Sequence, residues 1–230
     1  TMLLKYYQKL DDAISYLISS AVDEKKLLKK IFNKKKIIVV DIGSNEGNFI
    51  DFLGNIFLFK KAFCFEPIKE LSEKIKEKYL SKNMTVSNVA LSNKTGKSFF
   101  YQYSVTSTSS LYKQNNTYKS LKDLHKTFKV EKNKFDNLFN KNLKIDICKI
   151  DAQGEDYNIL LGMKKNLKNK NIRLLKVELS LTSLYKGSSS NFYEILNYLK
   201  LYKYTLISIS KIKYKGNKLV FMDAYFEYQK

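Results

Sequence analysis

Five short apolar runs in this chain each close on an acid or an amide: "IIVVD" on Asp41, "KAFCFE" on Glu66, "MTVSN" on Asn88, "KIDICKID" on Asp151 and "IRLLKVE" on Glu178. Polar groups at the ends of buried strands are the ones that can meet a ligand, because open α/β sheets bind in the crevice beyond their strand termini. An ionised carboxylate has two acceptor oxygens, so Glu66 can take both hydroxyl protons of a ribose. The same charge would repel a 2′-phosphate, which disfavours NADP. Asp151 is the first candidate for a base that takes a proton from an attacking hydroxyl, and Glu178 the second.

Gly43, Ser44, Asn45 and Gly47 follow Asp41 in a turn where the backbone can come close to a ligand. A dinucleotide loop needs a glycine at 45, where this chain has Asn45, and no Lys-Ser/Thr pair follows as a P-loop requires. Asp41 and this turn instead suit a ligand with positive charge or an amino-acid head group. His125, the single histidine, reads either as a base carried on a lid or as an exposed helix residue. Lys149 is placed to pair with an acid inside the sheet. Asp151 and Glu178 without a third ligand do not define a metal site, and no metal is expected.

The elements that must hold these residues follow from periodicity. Leu3, Leu4, Tyr7, Leu10, Ile14, Leu17 and Ile18, then Leu27, Leu28 and Ile31, have helical spacing, so residues 1–34 read as a helical appendage to a domain over 35–230. Continuous apolar runs at 37–41, 61–66, 145–150 and 172–179 are strands covered on both faces. "NFIDFLGNIF", "IKELSEKIKEKYL", residues 155–167 and "SSSNFYEILNYLKL" are helices between them. "MTVSNVALSN" reads as one third strand, with "GKSFFYQYSV" as its hairpin partner. Residues 105–142 turn polar and read as a loop-rich insertion or lid. Two last strands flank a Gly216-Asn217 turn, a strong hairpin signal. Strands alternating with helices predict a mostly parallel sheet with helices on both faces and a C-terminal antiparallel hairpin, the Rossmann-like class I methyltransferase sheet.

Composition bounds the partners. The chain has 230 residues, 44% hydrophobic, with a net charge of +20. That charge raises nucleic acid as a partner, but Arg173 is the only arginine, and phosphate and base readers favour the arginine fork. Lysines scattered along the whole chain read as solvated surface, and an acceptor that is phosphorylated or nucleotide-linked fits either reading. Cys64 and Cys148 lie in apolar runs and read as core residues of a reducing compartment. No run of about 18 apolar residues predicts a membrane span, and no signal-peptide order opens the chain, so a cytoplasmic location is expected. Oligomeric state is not readable.

Six segments in order carry a resemblance: "VVDIGSNEGNF", "FEP", "NVALSNKTG", "SSL" at 109–111, "IDICKIDAQGEDYNILLGM" and "KVELS". Together they resemble the FkbM family of S-adenosylmethionine-dependent methyltransferases over about residues 37–210. The resemblance implies an O-methyltransferase acting on a hydroxyl of a sugar, glycan precursor or other small metabolite. It implies cofactor contacts from Asp41, Gly43, Ser44, Asn45 and Gly47 around the methionine part, and from Glu66 and Pro67 at the ribose. Asn88, Val89 and Ala90 would lie near the adenine, and Asp151 and Gln153 near the reacting end. Ser107, Ser109, Ser110 and Tyr112 match the family's small-hydroxyl element; Ser109 and Ser110, with Glu178, are candidate substrate contacts. The family's Asp-x-Glu-Gly element reads Asp151-Ala152-Gln153-Gly154 here, so a neutral amide stands where the family has an acid. Two other readings stay open: an RNA methyltransferase, raised by the charge, and a catalytically silent cofactor-binding module, raised by Gln153.

Overall fold

The computed structural model describes residues 23–80, 83–115, 123–139, 142–182, 184–188 and 191–229. Expectations for residues 1–22 lie outside them. A first helix, α1 (Glu24–Ile31), is capped by the Asp23 carboxylate, which accepts from the amides of Lys25 and Lys26. The chain then alternates β1 (Lys36–Ile42), α2 (Asn48–Gly54), β2 (Leu58–Phe65), α3 (Lys69–Lys78) and β3 (Met84–Ser87). After a small sheet come β7 (Ile145–Ile150), helices α5 (Asp156–Gly162) and α6 (Lys164–Lys168), β8 (Ile172–Ser180), α7 (Phe192–Leu201) and the hairpin β9 (Tyr204–Lys215) and β10 (Lys218–Tyr228).

The seven strands of the main sheet run in the order β3-β2-β1-β7-β8-β10-β9. The pairs from β3 to β8 are parallel, and β10 is antiparallel to both β8 and β9. Alternate residues of each central strand serve opposite faces. Ile37 and Val39 of β1, Ile147 of β7 and Leu174 of β8 pack with Leu28, Phe49, Ile50 and Leu53 from α1 and α2. Val40 and Ile42, Cys148 and Ile150, and Leu175 and Val177 pack with Ile159, Leu160, Ile195 and Leu199 from α5 and α7. Apolar runs without alternation are therefore what a doubly covered sheet requires. Both cysteines are buried and free.

Four expectations are corrected. The third strand is broken: β3 belongs to the main sheet, whereas β4 (Ala90–Leu91) pairs with β6 in a second, three-stranded sheet ordered β4-β6-β5. Asn88 makes the break, its amide donating to the carbonyls of Glu66 and Pro67. β5 (Gly96–Tyr103) accordingly is not a hairpin partner of that strand; it pairs antiparallel with β6 (Leu124–Asn133). The polar segment 105–142 thus contains a ten-residue strand, as well as the short helix α4 (Phe135–Leu138). Most of β6 is exposed, Val130 being its buried residue, so it lacks the apolar alternation that marks a half-buried strand. Finally, the helix expected over 155–167 divides at Met163 into α5 and α6. No helix among the described residues is long and apolar enough to cross a membrane.

Gly162, at the end of α5, lies against the turn after β4. A Cβ there would come within 2.2 Å of the Ser92 carbonyl oxygen, a backbone atom that cannot step aside. Gly162→Ala should therefore lower stability by roughly 1–3 kcal/mol, read as a shift of the urea midpoint at unchanged slope.

Candidate active site

On the α1/α2 face the central strands change character as they near their C-terminal ends. After Val39, Ile147 and Leu174, the next residues on that face are Asp41, Lys149 and Lys176, and these stand in register across β1, β7 and β8. Two positions further come Gly43, Asp151 and Glu178. A cavity of about 380 Å³ opens above these residues, within the range of small-molecule sites.

The turn from β1 to α2 takes left-handed backbone at Gly43, Asn45 and Gly47. Asparagine tolerates that conformation better than most side chains, which explains why Asn45 can stand where a third glycine would otherwise fit. Gly43 is required for space as well: a Cβ would lie 2.0 Å from the Asp151 carbonyl oxygen. The amides of Gly43 and Ser44 both donate to the Phe65 carbonyl, at 3.0 and 3.1 Å, tying the turn to the end of β2.

Glu66 completes this tie. Its two carboxylate oxygens accept from the amides of Asn45 at 2.7 Å and Ile68 at 2.8 Å, and it lines the cavity. Two lone-pair positions of the carboxylate are left over as acceptors. Burial pushes its pKa up to about 7, against the pull of those two amides. Beside it the cavity wall is apolar, formed by Phe65, Ile68, Val89, Ala90, Leu91 and Phe100.

Lys149 is the hub of the other end. Its ammonium donates to the Gly43 carbonyl at 2.8 Å and lies 3.2 Å from Asp41 Oδ1 and 3.5 Å from Asp151 Oδ2. Burial works against its charge, but the two carboxylates outweigh it and hold the pKa above the usual lysine range. Asp41 is fully buried, and neither of its carboxylate oxygens has a well-formed hydrogen bond among the described residues. Burial raises its pKa despite Lys149. Asp151, with a side chain 31% exposed, faces the cavity.

Gln153 spans the crowded acids. Its amide nitrogen donates to Asp151 Oδ1 at 2.7 Å and lies 3.2 and 3.4 Å from the two Glu178 oxygens, while its carbonyl accepts from the Tyr185 hydroxyl at 2.6 Å. Glu178 is buried, and burial together with Asp151, Asp156 and Asp223 raises its pKa well above the ordinary glutamate value. It lines a second cavity of about 260 Å³ with Tyr185 and Ser188. The amide between Asp151 and Glu178 occupies the place a shared cation would need.

The expected residues are therefore distributed over three settings. Gly43, Ser44, Asn45, Glu66, Pro67, Val89, Ala90, Ser109, Asp151 and Gln153 line the main cavity. Asp41 lies one layer beneath it, facing Lys149, and Gly47 is the residue before α2. Asn88 joins the loops after β2, and Ser110 donates to the Gln153 carbonyl at 2.6 Å. Glu178 faces the second cavity, and His125 is exposed on β6, a strand rather than a lid or a helix, and lines neither cavity. Sequence reasoning missed Thr106, whose hydroxyl donates to Asn45 Oδ1 at 2.9 Å, and Tyr185, which also reaches the Thr108 carbonyl at 3.0 Å. Neither lies in a periodic segment, so no pattern marks them. It also missed Lys176, buried on β8, whose ammonium meets Glu24 at 2.6 Å, Asp223 at 2.9 Å and the Tyr225 hydroxyl at 3.1 Å.

A doubly wound sheet with an antiparallel β10 between β8 and β9, and a cavity over the ends of β1, β2 and β7, defines a Rossmann-like methyltransferase. Residues 41–206 match the model of the methyltransferase FkbM domain, and the chain belongs to that family. Its methyl donor is S-adenosyl-L-methionine. Among solved structures the chain is similar to methyltransferase FkbM from Methylobacillus flagellatus KT, at 14% identity and TM-score 0.54, over 84% of this chain and 44% of that one. It thus spans less than half the length of that protein. It is also similar to the N-methyltransferase NodS from Bradyrhizobium japonicum WM9, at 9% identity and TM-score 0.52, over 90% and 95% of the two chains. M. capricolum TrmK, solved in complex with S-adenosyl-homocysteine, aligns at 12% identity and TM-score 0.49, over 91% and 69%. At such identities the likeness speaks to the fold. No curated protein matches the sequence.

Removing Lys149 would strand two carboxylates, one of them fully buried. Lys149→Met should cost roughly 3–5 kcal/mol of stability, measured by chemical denaturation; a loss under about 1 kcal/mol would mean that Asp41 does not depend on this ammonium.

Proposed function

We propose that the chain transfers the methyl group of S-adenosylmethionine to a hydroxyl of a sugar, glycan precursor or other small metabolite, with Asp151 as the base. The observation that carries this reading is a partly exposed carboxylate, Asp151, on the wall of the cavity and held from behind by Lys149 and Gln153.

The cavity fits the cofactor group by group. Its apolar end, Val89, Ala90, Leu91 and Phe100, suits a flat purine. The spare acceptor positions of Glu66 suit the two ribose hydroxyls. The left-handed turn at Gly43 to Asn45 offers close backbone approach to the amino-acid part. Glu66 and the turn are already joined by the Asn45 amide, so cofactor recognition is built on groups that fix one another. Bound S-adenosylmethionine supplies an electrophilic methyl group on a sulfonium.

What the protein adds is orientation and a place for the proton. A neutral alcohol is a poor nucleophile and must lose its proton as it attacks, so a carboxylate within hydrogen-bond reach is needed. Asp151 takes that proton. Gln153 donates to one oxygen of Asp151 and Lys149 approaches the other, so the side chain is steered at both ends. Such steering matters because most of the gain in an in-line displacement comes from holding the reacting atoms in place.

Two outcomes are expected. Asp151→Asn should cut turnover by about a hundredfold or more while S-adenosylhomocysteine affinity, measured by calorimetry, changes little; an unchanged rate removes Asp151 from the chemistry. Glu66 carries a pKa raised to about 7, above the ordinary glutamate value, so its charged form gains as pH rises through 7. S-adenosylhomocysteine affinity should therefore climb between pH 6 and 8, by at most about tenfold per unit. In the absence of ligand the sign is opposite. The folded protein holds this proton more tightly than the unfolded chain, so stability falls as pH rises from about 4.5 towards 7. Glu66→Gln should flatten both profiles, and a ligand profile unaffected by that change would refute the ribose assignment.

A further inference from the structure

The β9–β10 hairpin is longer than the sheet it closes. β8 ends at Ser180, which pairs with Phe221, and the next strand-like contact is the Leu181 amide to the Val220 carbonyl at 2.9 Å. Beyond it, among the described residues, the strand pairing of β9 and β10 is with each other, through Leu219 with Tyr214 and Lys218 with Lys215. Because β10 is antiparallel to β8, this free arm projects past the C-terminal ends of the parallel strands, on the side where the cavity opens.

The arm is basic. From Lys211 to Met222 the chain reads "KIKYKGNKLVFM", with no acidic residue. Lys211, Lys213, Lys215 and Lys218 are all exposed, and Tyr214 between them is 50% exposed. At its base β9 carries a bulge: Ser210 pairs with Asp223 and Lys213 with Phe221, so two residues of β9 face one of β10. Lys211, in that bulge, has a left-handed φ of 47°. Bulges re-aim side chains, and this one turns the Lys211 side chain to the cavity wall, with Asp223 3.5 Å away. The buried lysines nearby are committed elsewhere: Lys149 lies against the Gly43 carbonyl, Asp41 and Asp151, and Lys176 against Glu24, Asp223 and the Tyr225 hydroxyl. Among the described residues, Lys211, 64% exposed at its side chain, is the cation on the wall with donors to give.

We propose that Lys211 and the basic arm form an anion subsite for the methyl acceptor, which is a small phosphorylated or nucleotide-linked molecule. The inference rests on the methyltransferase reading above and names the acceptor's chemistry. A lysine at the wall of the cavity puts the anion within one small molecule's length of Asp151, and the arm's further lysines extend the positive field to a second phosphoryl group. Lysines hold phosphate as point charges, and a short lysine arm beside a cavity of small-molecule size favours a small phosphorylated acceptor over RNA.

The test is calorimetry on the full chain loaded with S-adenosylhomocysteine, titrated with pyrophosphate, with uridine diphosphate and with a single-stranded RNA of about 20 nucleotides. Pyrophosphate and the nucleotide should bind, and more weakly as salt rises. Lys211→Gln should weaken both by about three- to tenfold, and Lys213→Gln/Lys215→Gln/Lys218→Gln should weaken the nucleotide further, with S-adenosylhomocysteine affinity held within about twofold. Equal binding by wild type and both variants overturns the subsite. So does a parallel loss of S-adenosylhomocysteine affinity in Lys211→Gln, which would assign the lysine to the cofactor's own carboxylate. RNA binding more than about a hundredfold tighter than the nucleotide overturns it in favour of a nucleic-acid surface. Failure of wild type to bind S-adenosylhomocysteine overturns the methyltransferase reading itself, and with it this subsite, and is scored in a separate titration.

Discussion

One ammonium organises the site. Burying a lysine costs several kcal/mol unless its charge is met, and Lys149 meets that condition through Asp41 and Asp151 while donating to the Gly43 carbonyl. Each of those partners belongs to a different function of the site. Asp41 lies near the end of β1, Gly43 shapes the turn at the cavity wall, and Asp151 faces the cavity. Asp41, fully buried, is tolerable beneath the cavity because this cation is beside it. The cavity-facing Asp151 and the turn after β1 thus share a single electrostatic anchor.

Around that anchor the sheet carries an unusual amount of charge for a core. Lys176 repeats the arrangement one strand over, with Glu24, Asp223 and the Tyr225 hydroxyl as its partners, and so draws α1 and β10 to the same centre. Three carboxyl groups, on Asp151, Glu178 and Asp223, then lie close together, those of Glu178 and Asp223 buried. Gln153 eases this crowding in a way an acid could not: its amide donates towards both Asp151 and Glu178. The departure from the family's Asp-x-Glu-Gly pattern is thus matched by its surroundings, and Tyr185, donating to the Gln153 carbonyl, fixes which end of the amide faces the acids. Burial, with Asp151, Asp156 and Asp223 nearby, raises the Glu178 pKa well above the ordinary glutamate value.

Much of this was legible before any coordinates. The runs at 37–42, 145–150 and 172–179 lack alternation because both faces are covered, and that alone marks a central parallel sheet. The acids closing them point to the ligand end, and Lys149 could be paired with an acid from its place inside a strand. Legibility failed where long-range contacts decide. "MTVSNVALSN" has continuous strand propensity, and its division between two sheets depends on Asn88 bonding to the loop after β2, which no local pattern encodes. β6 was hidden because residues 124–127 are all exposed, so its pairing with β5 leaves no apolar rhythm to read. That Asp41 is sealed below the turn depends on how closely Gly43 approaches Asp151. Lys211 owes its direction to a bulge, and a bulge is a mismatch between two strands that neither strand reveals alone.

The contact between Gly43 and Asp151 bears on how such a protein can change through descent. Their backbones leave no room for a side chain, so a shift of the turn after β1 is passed to the segment that carries Asp151 at van der Waals distance. Turn and carboxylate are one packed piece and cannot be adjusted separately. Variation is left to parts that touch this piece only at its margin, the small β4-β6-β5 sheet and the free end of the last hairpin. A lineage built on this core inherits its methyl donor as a fixed trait and diversifies around the rim.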